Sequence, residues 1–196
     1  MTVNASKHYL HRYGIITGKK IVIATNNDSV YETAKHLYEA GSKVTIIDSR
    51  KKINIELPKG IQHYLNTVPF NINGKKNIES LDVCQSSDST KKNTIICDQV
   101  LISGGWSPIV NLVSHRGIKP IWNEDNLCFI PGEIKENITV VGSARGIWNL
   151  NDCKNSGIAG ANETLNKLGI HKKEITFPKV GGWVNPIEPL FEVKLK

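Results

Sequence analysis

Along the first fifty residues the apolar positions change period three times. Between Ala5 and Tyr13, the residues Tyr9, Leu10 and Tyr13 fit one helix face, and Gly14 is placed to end it. After the turn Gly18-Lys19-Lys20, the run Ile21-Val22-Ile23-Ala24 is continuously apolar, as expected of a strand buried on both faces of a parallel sheet. From Ser29 to Ala40 the period returns to 3.6, with Val30, Ala34, Leu37 and Tyr38 on one stripe and Gly41 just past its end. Lys43 to Asp48 then reads as a second strand. Strand, helix and strand in about thirty residues make a βαβ unit from Lys20 to Arg50.

Beyond it, Ile61 to Leu65 is a candidate third strand. From Phe70 to Ile102, short β-prone runs separated by polar turns at Asn73-Gly74-Lys75-Lys76 and Ser86 to Asn93 predict a small antiparallel meander. The segment Asp98 to Pro108 ends a strand in a tight glycine turn, a plausible domain boundary. The last third carries Cys128-Phe129-Ile130, Ile138 to Gly142 as a further strand, and a helix from Asn151 to Leu168 closed by Gly169. Gly157 and Gly160 lie inside that helix, where each costs roughly 1 kcal/mol against alanine, so a close approach by another backbone or a cofactor is expected there. The tail after Phe177, with Pro178, Gly181-Gly182-Trp183, Pro186 and Pro189, has no clear period.

Composition narrows the function more than the fold. The 196 residues are 39% hydrophobic and 22% charged, ordinary for a globular protein that could bury a core. No apolar run approaches the roughly 20 residues that cross a bilayer, and the amino-terminal stretch lacks a secretory h-region. A soluble, cytoplasmic protein without membrane contact is expected. The net charge of +7 comes from dispersed pairs such as Lys75-Lys76 and Lys172-Lys173 with no interleaved aromatics, so nucleic acid is not expected as a partner. Cys84, Cys97, Cys128 and Cys153 form no C-x-x-C pair, and the helical spacing of His8 and His11 has no third ligand near it in sequence, so no metal is assigned.

The candidate chemistry sits after the first strand. A dinucleotide fold usually places glycines there, so that the backbone can approach a pyrophosphate at the helix N-terminus. Here the loop reads Ala24-Thr25-Asn26-Asn27-Asp28-Ser29. Asparagine tolerates the left-handed conformation, so Asn26 and Asn27 are expected to make the turn; Thr25, Asn26 and Ser29 offer side-chain donors to phosphate, and Asp28 or Ser29 serves as N-cap. Asp28 repels a pyrophosphate unless it points away. Asp48 ends the second strand where an acidic side chain accepts ribose hydroxyls, and Arg50 is placed to stack on adenine or meet a 2′-phosphate. A plain βα turn with a solvated Asp28 is the competing reading.

Taken together, Tyr9 to Gly14, Ile23 to Tyr31, Ile47-Asp48-Ser49-Arg50 and Ile102-Ser103-Gly104-Gly105-Trp106-Ser107-Pro108 resemble the alpha subunit of heterotetrameric sarcosine oxidase. The resemblance covers nearly the whole chain but only a middle segment of the much longer subunit. It implies an α/β fold: a Rossmann-like FAD/NAD(P)-binding domain of the two-dinucleotide-binding flavoprotein type, with the antiparallel meander and an incomplete second domain. Residues 1–19 would be a flanking helix of the FAD-type domain, 20–105 the NAD-binding domain, and 106–196 the returning half of the FAD-binding domain with its tail. Ser49 joins Asp48 and Arg50 as cofactor-binding, Ser103-Gly104-Gly105 matches the crossover between the two folds, and Gly142-Ser143 matches the late turn that contacts flavin. Many relatives carry an acidic residue in that turn, which Ser143 and Ala144 do not supply.

The same resemblance implies NAD and FAD as cofactors and FMN at a subunit interface, with beta, gamma and delta subunits as partners. The enzyme would oxidise sarcosine to glycine with oxygen, giving hydrogen peroxide and formaldehyde or methylenetetrahydrofolate. No residue here is expected to act as acid, base or nucleophile. An amino-terminal Gly-x-Gly-x-x-Gly strand and a folate-binding region of the family pattern are missing from this sequence, so the chain is expected to be an inactive fragment that does not hold FAD alone. Two alternatives are another FAD- or NAD-dependent amino-acid or opine dehydrogenase subunit, and a degenerate, non-catalytic Rossmann interaction domain.

Overall fold

The computed structural model describes residues 1–134, 138–182 and 190. It forms two compact units, Met1–Gly105 with Pro186–Lys196, and Trp106–Asn185. Of the aperiodic tail, Trp183, Pro186 and Pro189 lie outside the described residues.

The first unit is built on four parallel strands: β1 (Lys20–Thr25), β2 (Lys43–Asp48), β3 (Gln62–Tyr64) and β7 (Gln99–Ser103), in the order β3-β2-β1-β7. Three further strands between β3 and β7, β4 (Thr67–Asn73), β5 (Ser80–Gln85) and β6 (Asp88–Ile96), form a separate antiparallel sheet. Two helices complete the unit, α1 (Val3–Tyr13) and α2 (Tyr31–Glu39), the latter entered through a 3-10 turn at Asp28–Val30.

The continuous apolar run of β1 and the apolar positions of β2 are explained by two cores. Ile21, Ile23, Val44, Ile46 and Leu101 pack on one face of the sheet with Val3 of α1 and Val30, Tyr31, Ala34 and Leu37 of the α2 region. Val22, Ala24, Ile47 and Val100 pack on the other with Leu81 and Val83 of β5. Strand side chains alternate between faces, so a strand covered on both sides has no polar position to spare. Helix α1 is started by the Thr2 side chain, which accepts from the Ala5 N–H, and ended by Gly14 at φ 65°.

Three sequence expectations need correction here. The meander stops at Ile96: Gln99–Ser103 returns to the parallel sheet and pairs with β1, because its apolar residues find a buried place beside Ile21 to Thr25. The expected turn over Ser86 to Asn93 shrinks to the corner before Asp88, since Lys92 to Ile96 pair with Ser80 to Cys84. On α2, Val30, Ala34 and Leu37 of the expected stripe are buried, but its fourth place is taken by the buried Tyr31, since Tyr38 is 37% exposed.

The second unit holds α3 (Asn111–Ser114), a hairpin of β8 (Ile121–Asn123) and β9 (Cys128–Ile130), a 3-10 turn at Gly142–Arg145, and α4 (Leu150–Lys167). Ile138 to Val141 form no strand, a further correction; Thr139 and Val141 instead lie across α4 at Gly160. Of the two helical glycines, only Gly160 has a neighbour at contact distance, and a side chain is what approaches it. The four cysteines are free, and burial pushes the thiols of Cys84, Cys97 and Cys128 up.

Candidate functional site

All four parallel strands end on the same side, at Thr25, Asp48, Tyr64 and Ser103. Chain order runs from β1 to β2 on one side and returns to β7 on the other, which makes the gap outside Thr25 and Ser103 the topological switch point where such sheets place ligands. The fold gathers there Thr25, Asn26, Asn27, Ser29, Asp48, Ser49, Arg50, Ser103, Gly104 and Gly105, residues up to 80 positions apart in sequence. Gly142 and Ser143 belong to the second unit.

The loop after β1 is closed by its own polar side chains. Asn27 is fully buried, and its Nδ2 is shared among Asn26 Oδ1 at 3.0 Å, Ser103 O at 3.2 Å and Ser103 Oγ at 3.3 Å. Its Oδ1 accepts from Ser29 N at 3.1 Å and Ser29 Oγ at 2.6 Å. Asn27 is therefore the N-cap, in place of Asp28 or Ser29, and it is extended at φ −150°. Among the described residues only Asn66 and Leu127 are non-glycine positions with positive φ, so neither Asn26 nor Asn27 makes the expected left-handed turn. A bond between strand ends decides the Asn27 conformation over its local preference. Thr25 Oγ1 accepts from Asn27 N and donates to Asn27 O. Asn27 thereby ties the end of β1 to β7. Gly105 sits at φ 103°, a backbone only glycine adopts readily.

Beside this loop lies a buried ionic cluster. The Asp48 side chain has no exposure and that of Arg50 has 10%. Asp48 Oδ1 accepts from Arg50 N at 2.9 Å and Nε at 3.1 Å; Oδ2 accepts from Arg50 Nη2 at 2.8 Å and from the Tyr31 hydroxyl at 2.6 Å. Arg50 Nη1 reaches Asp28 Oδ1 at 2.7 Å, so Asp28 points at a cation and is not merely solvated. The Tyr31 oxygen also lies 3.2 Å from His63 Nε2. Its one hydrogen is committed to Asp48, which makes His63 Nε2–H the donor of that second bond.

Burial, and then the Asp48 carboxylate, push the Tyr31 phenol far above its ordinary range. For Arg50 burial acts to lower the pKa, but the bonds to Asp48 and Asp28 offset it and hold the guanidinium charged well above its usual value. Burial lowers His63, with the Asp48 charge opposing and the Arg50 charge assisting. The cluster thus contains one cation and two anions, with Tyr31 and His63 neutral at pH 7.

Asp48 ends β2, where a contact to ribose hydroxyls was expected, but any such hydroxyl would have to displace Tyr31 or Arg50 to reach it. Arg50 is similarly engaged on three nitrogens. The neighbouring Ser49 Oγ is buried without a hydrogen-bond partner among the described residues, and its N–H donates to Thr25 O. Tyr31 and His63 were not among the sequence candidates. The i, i+3 spacing of Tyr31 to Ala34 was a signal for the first; nothing local marks the second.

In the second unit, Gly142 is at φ 61° and its N–H donates to the buried Ser156 Oγ on α4 at 3.1 Å, while Ser143 is exposed. Arg145 lies over the Phe177 ring at 4.1 Å, beside a cavity of about 260 Å³ also lined by Ile130, Val140 and Lys167. Among the described residues no group of three metal-ligating side chains occurs, and no helix is long and apolar enough to cross a membrane.

No family model matches the chain. It is 31% identical over 182 residues to the sarcosine oxidase subunit alpha of Rhizobium meliloti strain 1021, covering 92% of this chain and 18% of that subunit. It is 26% identical over 181 residues to the same subunit of Corynebacterium sp. strain U-96, covering 88% of this chain and 19% of that subunit. The chain thus spans less than a fifth of the length of these relatives. Among solved structures it is similar to Lactococcus lactis thioredoxin reductase, with a TM-score of 0.57 at 20% identity over 75% of this chain and 52% of that one. It is also similar to L-proline dehydrogenase from P. horikoshii, with a TM-score of 0.58 at 12% identity over 92% of this chain and 35% of that one. The fold is that of FAD/NAD(P)-binding flavoproteins, with a parallel sheet and separate antiparallel sheets.

Proposed function

We propose, starting from this chain's homology to a segment of the sarcosine oxidase alpha subunits, that it is the nucleotide-binding part of a flavin-dependent amine oxidoreductase. The observation that carries the reading is the convergence of Asn26, Asn27, Ser29, Ser103 and Gly104 on the switch point between β1 and β7. In this reading NAD lies across that gap, with its adenosine toward β2. On binding, Ser29 Oγ would exchange its bond to Asn27 Oδ1, and Ser103 Oγ its contact with Ser29, for the phosphates, and the Ser49 hydroxyl, without a partner among the described residues, supplies a bond at the ribose end. Asp48 holds Arg50 in place instead of accepting the ribose itself. Bound NAD would supply a nicotinamide ring, which is not the obvious hydride carrier of such an enzyme; the residues of this chain bind and orient it, and none of those described is positioned as acid, base or nucleophile.

The finer assignments belong to the same proposal. Residues 20–105 form the NAD domain, 1–19 flank it, and 106–196, with Gly142 and Ser143, form the returning half of an FAD-binding domain. The complete enzyme, with beta, gamma and delta subunits and FMN at an interface, would oxidise sarcosine in the cytoplasm. Calorimetric titration of the 196-residue chain with NAD tests the core of this reading. Saturable uptake at submillimolar to millimolar concentration is expected. No heat at millimolar NAD would leave the non-catalytic interaction domain as the better account.

A further inference from the structure

We infer that Asp28 is a built-in competitor for the anion this crevice takes up, and that Arg50 is the residue the two contest; this rests on the nucleotide reading above. Arg50 has two different carboxylate partners. Toward Asp48 it presents Nε and Nη2, and the same carboxylate accepts the Arg50 backbone N–H. That grip is a paired fork on a fully buried anion, so the guanidinium has no alternative position at comparable free energy. Toward Asp28 it presents Nη1 alone, at 2.7 Å.

Asp28 is held far more loosely than Asp48. Its side chain is 39% exposed and stands in a three-residue 3-10 turn. A carboxylate in that setting can turn to water from its own side of the pair, while the Arg50 side chain, only 10% exposed, stays on Asp48; the displacement costs the modest worth of a half-exposed ion pair. A phosphate oxygen arriving at the switch point finds in Arg50 Nη1 a donor already oriented and already charged. Phosphate carries more charge and more acceptor atoms than a carboxylate, so it is the stronger partner for that donor.

The charge balance points the same way. Asp28, Asp48 and Arg50 sum to one negative charge, since the cluster has two carboxylates and one guanidinium. Tyr31 and His63 add none: burial holds the phenol protonated and the imidazole neutral. A pyrophosphate therefore approaches a cluster of its own sign until Asp28 turns away. The consequence is that Asp28 weakens the hold on every phosphate-bearing ligand, while an uncharged nucleoside, which does not contest Arg50, is held the same with or without it.

The test is isothermal titration of the full chain and of Asp28→Asn with NAD, ADP and adenosine. Asparagine keeps the size and an acceptor oxygen for Arg50 but removes the charge. Asp28→Asn is expected to bind NAD and ADP on the order of fivefold more tightly than the native chain, with adenosine unchanged. Asp28→Glu, which keeps the charge, should stay near native affinity. Asp28→Ser repeats the measurement if the Asn variant fails to give a native circular dichroism spectrum and a single melting transition. NAD uptake by Asp28→Asn where the native chain takes up none also supports the inference. Equal NAD affinity in the native chain and the neutral variants overturns it and leaves the nucleotide reading intact; so does a gain that extends to adenosine. If no form binds NAD, both fall.

Discussion

The Tyr31 hydroxyl donates a 2.6 Å hydrogen bond to Oδ2 of Asp48, joining the first turn of α2 to the end of β2 inside the protein. The bond means that the carboxylate ending β2 is already satisfied from within the chain. It also makes the βα turn depend on a residue outside the loop.

Removing that hydroxyl should be costly. Tyr31→Phe leaves a buried, charged acceptor short of a donor, and a loss of about 1.5–3 kcal/mol is expected. Urea unfolding of the two proteins measures it. An unchanged midpoint with an unchanged slope would show that Arg50 alone suffices for Asp48.

Arg50→Met should cost more, about 3–5 kcal/mol, because it strands Asp48 as an unpaired charge in the core. Adding Asp48→Asn to that variant removes the stranded charge, and the double variant is expected to recover part of the loss. A double-mutant cycle by thermal or urea unfolding reads the coupling; additive single effects would contradict the buried-pair account.

His63 sets an acid-side dependence. Its pKa is lowered in the fold, so between the ordinary histidine value near 6.5 and its lower folded value the unfolded chain binds more protons than the folded one. Stability is fully present above that window and falls as pH drops through it. Unfolding free energies at several pH values between 7.5 and 5 should show this slope, and His63→Gln should flatten it. An identical slope in the variant would assign the effect to other groups.

The two glycines of α4 should respond in opposite directions. A Cβ at Gly160 would meet Val141 Cγ1 at 2.6 Å and Thr139 Cγ2 at 3.0 Å, so Gly160→Ala is expected to destabilise by about 1–3 kcal/mol. Gly157 has nothing within 4 Å of that position, and Gly157→Ala is expected to stabilise by about 0.5–1 kcal/mol through helix propensity. Melting temperatures of both variants decide the matter. A rise for Gly160→Ala would mean that the 139–141 segment yields freely.

How much could be read in advance varied with how local the cause was. The apolar run Ile21 to Ala24 announced a buried strand, because a strand covered on both faces favours apolar residues on each, and the β-branched Val44, Ile46 and Ile47 marked the second. Gly14 and Gly41 marked helix ends, and both have positive φ. The pairing of Gln99–Ser103 with β1 was not legible, since periodicity reports burial and says nothing about which strand lies alongside. The same limit hid His63, which shares no pattern with Tyr31 and meets it across 32 positions.

At the candidate site the division is sharper. The sequence by itself determined that a βαβ unit carries an Asn-Asn-Asp loop where glycines usually stand, and that Asp48 and Arg50 follow at the end of the next strand. Those facts depend on residue identity and spacing within one contiguous segment. Only the tertiary structure decided what the substitutions do: Asn27 is extended because Ser103 accepts from its side chain, Asp28 turns toward Arg50, and Asp48 is sealed by Tyr31. Each outcome is a hydrogen bond or ion pair made after the strands have come together, and its free energy exceeds the weak local preference of the residue concerned.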